Sequence, residues 1–296
     1  MFLNHQGRKQ GFLRKTGAAA AVLGGLLAAS PASAEIKDFQ FGFQQAASPV
    51  MQQIEAFHTE LFWIITFVCL FVLALLAVVV VRFRAGANPV PSKVHHNTLL
   101  EVAWTIIPVI ILVVIAIPSF KLLYFEAAIP KPDVTIRAIG KQWFWTYEYP
   151  GQAANFTFDS LSLTTPAAAL GTEPDAALKA GKTSLLGVDN PVYVPVNKVI
   201  EIDTIGADVI HSWALPQMGV KMDAVPGRTN RTWFKATKEG VYYGECSELC
   251  GANHAFMPIE VHVVSEADYA AWLAAAKKKY SAIAANDGDA TRLASN

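Results

Sequence analysis

Cysteine is scarce in this chain. Its 296 residues include three, Cys69, Cys246 and Cys250, which leaves room for one disulfide at most and one cysteine over. No C-x-x-C-H motif occurs, and this excludes a covalently attached c-type haem. Net charge is lacking too, with 24 basic residues against 24 acidic. Charge is absent altogether from residues 61–81 and 102–117, while 53% of all residues are apolar. A composition this apolar does not suit an ordinary soluble domain, so the excess must sit in discrete runs.

Three runs carry it. The first is N-terminal: Arg8, Lys9, Arg14 and Lys15 precede an apolar stretch from Ala18 to Ala28, and Pro31-Ala32-Ser33-Ala34 has the small-x-small pattern of a cleavage site. Residues 1–34 therefore read as a secretory signal peptide. No cysteine follows it directly, so no lipid-anchored mature terminus is expected. Removing it takes away four basic residues and no acid, leaving 20 basic residues against 24 acidic.

Residues 35–58 read as an exported arm, and Ser48-Pro49 within it is a helix-start signal, a capping serine before a first-turn proline. The uncharged run 61–81 spans roughly 30 Å at ~1.5 Å per residue, the thickness of the hydrocarbon core. A second span covers 102–123, with Pro108 and Pro118 inside it. The connecting loop 82–100 holds Arg82, Arg84 and Lys93 and no acid, whereas Glu35, Asp38, Glu55 and Glu60 precede the first span. Positive-inside asymmetry puts that loop in the cytoplasm and both mature termini outside.

Beyond the linker Ile129-Pro130-Lys131-Pro132, strand-length runs appear at 134–137, 142–149, 195–205, 232–236, 241–243 and 259–264. Separated by Gly, Pro and Asn, they predict an all-β antiparallel sandwich or barrel over 126–280. Residues 160–187, rich in Ala, Thr and Gly, read as an exposed insertion with one short helix near 175–180. Ser265-Glu266-Ala267-Asp268 opens a C-terminal helix to about Lys279, and 281–296 reads as a disordered tail.

Two cysteines, a histidine and a methionine fall together at Cys246, Cys250, His254 and Met257, with His211 upstream on its own strand-like segment. Two exported cysteines alone favour a disulfide. A disulfide has no use for His254, Met257 or glycines at 244 and 251, whereas thiolates, imidazoles and a thioether are copper ligands. Two cysteines and two histidines would also satisfy zinc, though a closed Cys₂His₂ site leaves Met257 unexplained. In 142–149, Trp143, Trp145, Tyr147 and Tyr149 share one face at period two, and at least three of them are expected in the core. Glu101 opens the second span, where an acid suits the helix dipole, and an ionisable group at a span's edge is also a candidate for proton traffic. The Glu248 side chain reads equally as a solvated loop carboxylate. From Glu126 onward 19 acidic residues stand against 15 basic.

The loop GECSELCGANHAFMP, the upstream HSWALPQMGVKMDAVPGR and the aromatic run QWFWTYEY resemble subunit II of haem-copper cytochrome c oxidases, which carries a binuclear CuA centre. The likeness spans residues 39–280 and takes in the two-span hairpin. It implies a two-helix transmembrane hairpin, a cupredoxin-like Greek-key β domain and a C-terminal helix. It further implies that Cys246 and Cys250 bridge two coppers, that His211 and Met257 complete one, and that His254 and the Glu248 backbone carbonyl complete the other. The Glu248 carboxylate would reach Mg²⁺ at the contact with subunit I, with Asp223 nearby. Trp143 would receive the electron from cytochrome c; Glu148, Asp189 and Asp208 match the acidic docking patch; Glu101 matches the mouth of a proton path through subunit I. The implied setting is a bacterial inner membrane with the copper domain on the periplasmic side. The implied partners are subunit I, subunit III, cytochrome c and the lipid bilayer, and no nucleic acid is expected. Neither span supplies haem ligands, so oxygen chemistry lies outside this chain. Two rival readings are an anchored copper chaperone, which needs a thioredoxin-like α/β domain, and a quinol oxidase subunit, which lacks the copper ligands. A soluble nitrous oxide reductase domain would have no hairpin.

Overall fold

A capping serine followed by proline starts the membrane anchor. The computed structural model describes residues 40, 42–151 and 155–293; the signal peptide read over 1–34 and residues 35–39 of the arm lie outside the described residues. Helix α1 spans Pro49–Arg82, and the Ser48 hydroxyl accepts from the Met51 N–H, a cap of about 1 kcal/mol. Helix α2 spans Thr98–Ala127, capped by the Asn97 side chain, which accepts from the Leu99 and Leu100 N–H groups. Both helices are long and apolar enough to cross a membrane. Each extends past the span read from sequence at both ends, and the polar caps Ser48 and Asn97 rather than the apolar limits set where each begins.

The β domain is a sandwich of two five-stranded sheets. One has the order β3 (Thr157–Ser160), β2 (Phe144–Glu148), β1 (Val134–Lys141), β5 (Ile200–Gly206), β8 (Asn230–Phe234). The other runs β4 (Val192–Pro195), β10 (Pro258–Val264), β9 (Gly240–Cys246), β6 (His211–Leu215), β7 (Val220–Ala224). Inward residues of both sheets close the core, among them Ile136, Trp145, Tyr147, Ile202, Trp213, Phe234 and Ile259. The expected wholly antiparallel pairing is corrected in two places, since β1 pairs parallel with β5 and β10 parallel with β4. The single run read at 195–205 is two strands, divided at Asn197, whose φ is 59°.

Both membrane helices end on the β domain. Ala47 donates to the Gln217 carbonyl at 2.9 Å and accepts from the Thr237 N–H at 2.9 Å, while the Ser48 hydroxyl donates to the Met218 carbonyl at 2.7 Å. At the far end of α2 the Trp233 indole donates to the Glu126 carbonyl at 3.1 Å, and its ring meets Phe125. These contacts tie the sandwich to the hairpin next to the turn that follows β6.

The insertion is not a plain exposed loop. It holds two short helices, α3 (Pro166–Ala169) and α4 (Ala176–Lys179), and is pinned at two points. The Asp175 carboxylate gathers the Thr164 and Ser184 hydroxyls and the Ala177 N–H. Lys182 donates to both Glu260 oxygens at 3.0 Å, and Glu260 also accepts from the Val188 N–H at 2.9 Å and faces the His262 Nε2 at 2.6 Å. Glu260 is buried on β10, so the insertion covers the outer side of the second sheet.

Helix α5 spans Glu266–Leu293. It therefore runs beyond Lys279 and through residues 281–293, which the sequence assigned to a disordered tail; 294–296 lie outside the described residues. Trp272 anchors it by stacking on Tyr193 at 4.8 Å and meeting Tyr149 at 5.3 Å.

Replacing Lys182 with Met strands the buried Glu260 carboxylate. The expected cost is about 3 kcal/mol, with faster amide hydrogen exchange over 160–188 and unchanged exchange in β1 and β2. Equal protection of 160–188 in the variant would show that the ion pair does not hold the insertion.

Candidate metal centre

Strand pairing brings the candidate ligands to one end of the second sheet. β6 begins at His211 and β9 ends at Cys246, and the antiparallel register sets Trp213 opposite Cys246. β9 and β10 form the next antiparallel pair, with Glu245 opposite Pro258. The connection 247–257 must therefore fold back over the same end, carrying Cys250, His254 and Met257. Ser247 donates to the Ser212 carbonyl at 3.0 Å and closes that loop onto β6.

The donors converge. Cys246 and Cys250 are buried free thiols with their sulfurs 3.9 Å apart. His211 Nδ1 lies 3.9 Å from the Cys246 sulfur, His254 Nδ1 3.5 Å from the Cys250 sulfur, and the Met257 Sδ 3.5 Å from the Cys250 sulfur. The Glu248 carbonyl is 3.3 Å from the Cys246 sulfur. His211, Cys246 and Cys250 alone offer three ligand atoms within 4.8 Å of one another. The two thiols are not bonded as a disulfide. Two thiols, two imidazoles, a thioether and a carbonyl exceed what a tetrahedral zinc site takes, and their softness is that of copper ligands.

Electrostatics separates the two thiols. Burial pushes Cys246 up, but hydrogen bonding with His211 and with the Glu248 and Ser212 backbone outweighs it and leaves this thiol below its ordinary value. Burial and the charge on Cys246 both raise Cys250. Cys246 is thus the thiol that ionises first.

The first sheet holds the loop from across the sandwich. The turn between β1 and β2 contains Gln142 and Trp143, and the Gln142 amide and Trp143 indole donate to the Cys250 carbonyl at 2.8 Å and 3.3 Å. The buried Trp145 indole donates to the Met257 carbonyl at 3.2 Å. At Gly251 φ is 127°, and a Cβ there would sit 3.1 Å from the Trp143 ring, so only glycine lets the indole lie against the loop. Trp145, Tyr147 and Tyr149 are buried as the alternation predicts, but Trp143 stands in the turn ahead of β2, half-buried.

The three candidate docking acids all have internal partners. Glu148 pairs with Arg137 at 2.9 Å, and Asp189 accepts from the Leu161 N–H at 2.8 Å. Asp208 has the role that sequence reasoning missed: its Oδ1 lies 2.8 Å from His211 Nε2 while its Oδ2 accepts from the Gln142 N–H at 2.7 Å. The three-residue spacing of Asp208 and His211 was the available signal. The exposed Glu248 side chain lines an open cleft with Asp223, Lys221 and Arg228. Glu101 stands in the first turn of α2, at the end of the hairpin away from the β domain, and is not part of this cluster.

Fold and site together define a two-pass membrane protein with a β-sandwich and a cysteine-histidine centre consistent with copper binding. Residues 134–264 match the family described as cytochrome c oxidase subunit II, periplasmic domain, and residues 36–122 match its transmembrane domain. The chain is 46% identical over 258 residues to the "Probable cytochrome c oxidase subunit 2" of Rickettsia bellii, covering 87% of this chain and 90% of that one. It is 46% identical over 240 residues to cytochrome c oxidase subunit 2 of Zea mays, covering 79% and 88%. The crystal structure of the periplasmic domain of subunit II of cytochrome oxidase of Bradyrhizobium japonicum is 53% identical, covers 52% of this chain and 99% of that one, and superposes with a TM-score of 0.44. The chain belongs to the cytochrome c oxidase subunit II family. It is therefore a subunit of a haem-copper oxidase, a family that implies association with other oxidase subunits. The β-sandwich removes the chaperone reading, and the full donor set argues against a copper-free quinol oxidase subunit.

Asp208 fixes one nitrogen of His211 and so aims the other at the thiols. Partners of this kind typically carry 10–100-fold in metal affinity. Asp208→Ala is expected to weaken copper binding by about that factor in a chelator-competition titration; undiminished affinity would mean that β6 alone orients the ring.

Proposed function

We propose that this chain is the subunit through which electrons from cytochrome c reach the oxidase, to be passed on to haem in subunit I. The observation that carries this reading is the convergence of six donors, five from 246–257 and the sixth His211 on β6, at one end of the second sheet, with the Trp143 indole hydrogen-bonded to the carbonyl of Cys250. Cys246 and Cys250 would bridge two coppers, His211 and Met257 completing one and His254 with the Glu248 carbonyl the other. Held by these residues, copper would supply one-electron transfer.

The protein's own residues do the rest. Asp208 and the strand register hold His211 in place, the buried Met257 and Trp145 keep water away, and the hydrogen bond from Trp143 joins a half-exposed aromatic to the backbone of a ligand. Glu148, Asp189 and Asp208 belong to the acidic excess of the domain, which suits a lysine-rich donor and speeds encounter. Glu248 and Asp223 face one cleft and offer hard oxygen atoms for Mg²⁺ at the contact with subunit I. Glu101 would serve the mouth of a proton path on the opposite side of the membrane. This assigns the β domain and both mature termini to the periplasm and the loop 83–97 to the cytoplasm of a bacterial inner membrane. Reduction of oxygen to water and proton pumping belong to subunit I, with subunit III beside it.

The test is Trp143→Ala in the assembled oxidase. Loss of a central aromatic contact costs about 2 kcal/mol or more, roughly thirtyfold. Reduction by cytochrome c is expected to slow by at least that factor, with the visible spectrum of the centre preserved. Reduction at the original rate would place electron arrival elsewhere.

A further inference from the structure

The inner face of the first sheet narrows toward the metal end. Along β1 the inward residues are Val134, Ile136, Ala138 and Gly140, and along β5 they are Ile200, Ile202, Thr204 and Gly206. The parallel register pairs them rung by rung, Val134 with Ile200, Ile136 with Ile202, Ala138 with Thr204 and Gly140 with Gly206. The last rung has no side chains at all.

That gap is filled from the opposite sheet. A Cβ on Gly140 would lie 2.7 Å from Cγ and Cδ2 of His211 and 2.8 Å from its Cβ, far inside contact distance. The imidazole thus rests directly on the β1 backbone. A Cβ on Gly206 would meet the Val209 carbonyl at 2.4 Å and the Ala224 carbonyl at 2.7 Å. Gly206 therefore seats the turn 207–210 that carries Asp208, and Ala207 donates to the Gly140 carbonyl at 2.9 Å. Nothing in the backbone conformation of Gly140 or Gly206 demands glycine, since neither has a positive φ. Their requirement is one of space.

We infer that the Gly140–Gly206 rung is a positioning element for the metal centre: Gly140 is the seat of the His211 ring and Gly206 the seat of the Asp208 turn. His211 is then fixed at three places, by Asp208 at Nε2, by the β1 backbone beneath the ring, and by Trp145, whose ring centroid is 6.0 Å away. A ring seated in this way cannot swing when the charge at its Nδ1 changes. In a close-packed interior the added methyl of alanine has no free volume to enter, so the ring or the strand must move.

The proposal is tested by a double-mutant cycle on the full chain in detergent, without metal, using Gly140→Ala, His211→Gly and the pair, glycine at 211 being needed because alanine would keep the Cβ that the new methyl meets. Gly140→Ala alone is expected to lower the thermal midpoint by about 3 °C or more, the usual effect of overpacking by one methyl. In the His211→Gly background the same substitution should cost little further, because the ring and the Cβ it strikes are both gone. If Gly140→Ala fails to fold, recovery in the double variant supports the seat and failure of both overturns it. An equal loss in both backgrounds would assign Gly140 to the strand and not to His211, and no loss in either would show that the ring yields freely.

A second arm rests on the copper reading. Gly140→Ala loaded with copper should show shifted optical and electron-spin spectra, and an unchanged spectrum would overturn the positioning role. Should the original chain bind no copper, the reading of the centre fails, while the metal-free cycle still decides the proposal about Gly140.

Discussion

The register of β6 against β9 is the constraint on which the centre depends. With Trp213 opposite Cys246, His211 lies two residues beyond the last pair of the ladder, on the same face as Trp213, and faces the first thiol. A slip of one residue would turn Trp213 out of the core and His211 away from Cys246, because successive side chains alternate faces. The buried Trp213, with its indole on the Tyr147 hydroxyl at 3.2 Å, resists that slip. The hydrophobic core and the metal site are therefore set by the same pairing.

The second requirement is that the loop between β9 and β10 stay closed, and here the two sheets cooperate. Sheet one contributes hydrogen bonds from Gln142, Trp143 and Trp145 to the carbonyls of Cys250 and Met257. A loop tied by its backbone in this way leaves its side chains free to serve as ligands. The other end of β6 is joined to the membrane hairpin, through Ala47 and Ser48 on the turn that follows the strand. Centre, core and anchor thus form one packed unit, as a fixed distance to a membrane-embedded partner would require.

Much of this could be read from the residues. The spans follow from missing charge, and the cluster at 246–257 from its unusual mixture of soft donors. The buried aromatics follow from period two in 145–149. What was not legible depended on distant pairings. β6 is buried at every position and so has no alternation to detect, and β3 is four residues long. The parallel pairs β1 with β5 and β4 with β10 join segments that no local pattern relates. Lys182 and Glu260 stand 78 residues apart, so the insertion looked free until its anchor was in view. Asp208 stands three residues before His211, a spacing that does not by itself distinguish it from the other surface acids until the turn is folded.

We propose that one loop and one distant histidine hold a pair of coppers. Metal analysis with an electron-spin spectrum of the copper-reconstituted full chain tests it most directly. The account predicts two coppers per chain sharing a single unpaired electron, with the signal lost when either Cys246 or Cys250 is replaced by serine. A single localised copper, a zinc ion in place of copper, or a signal that survives loss of one cysteine would contradict it.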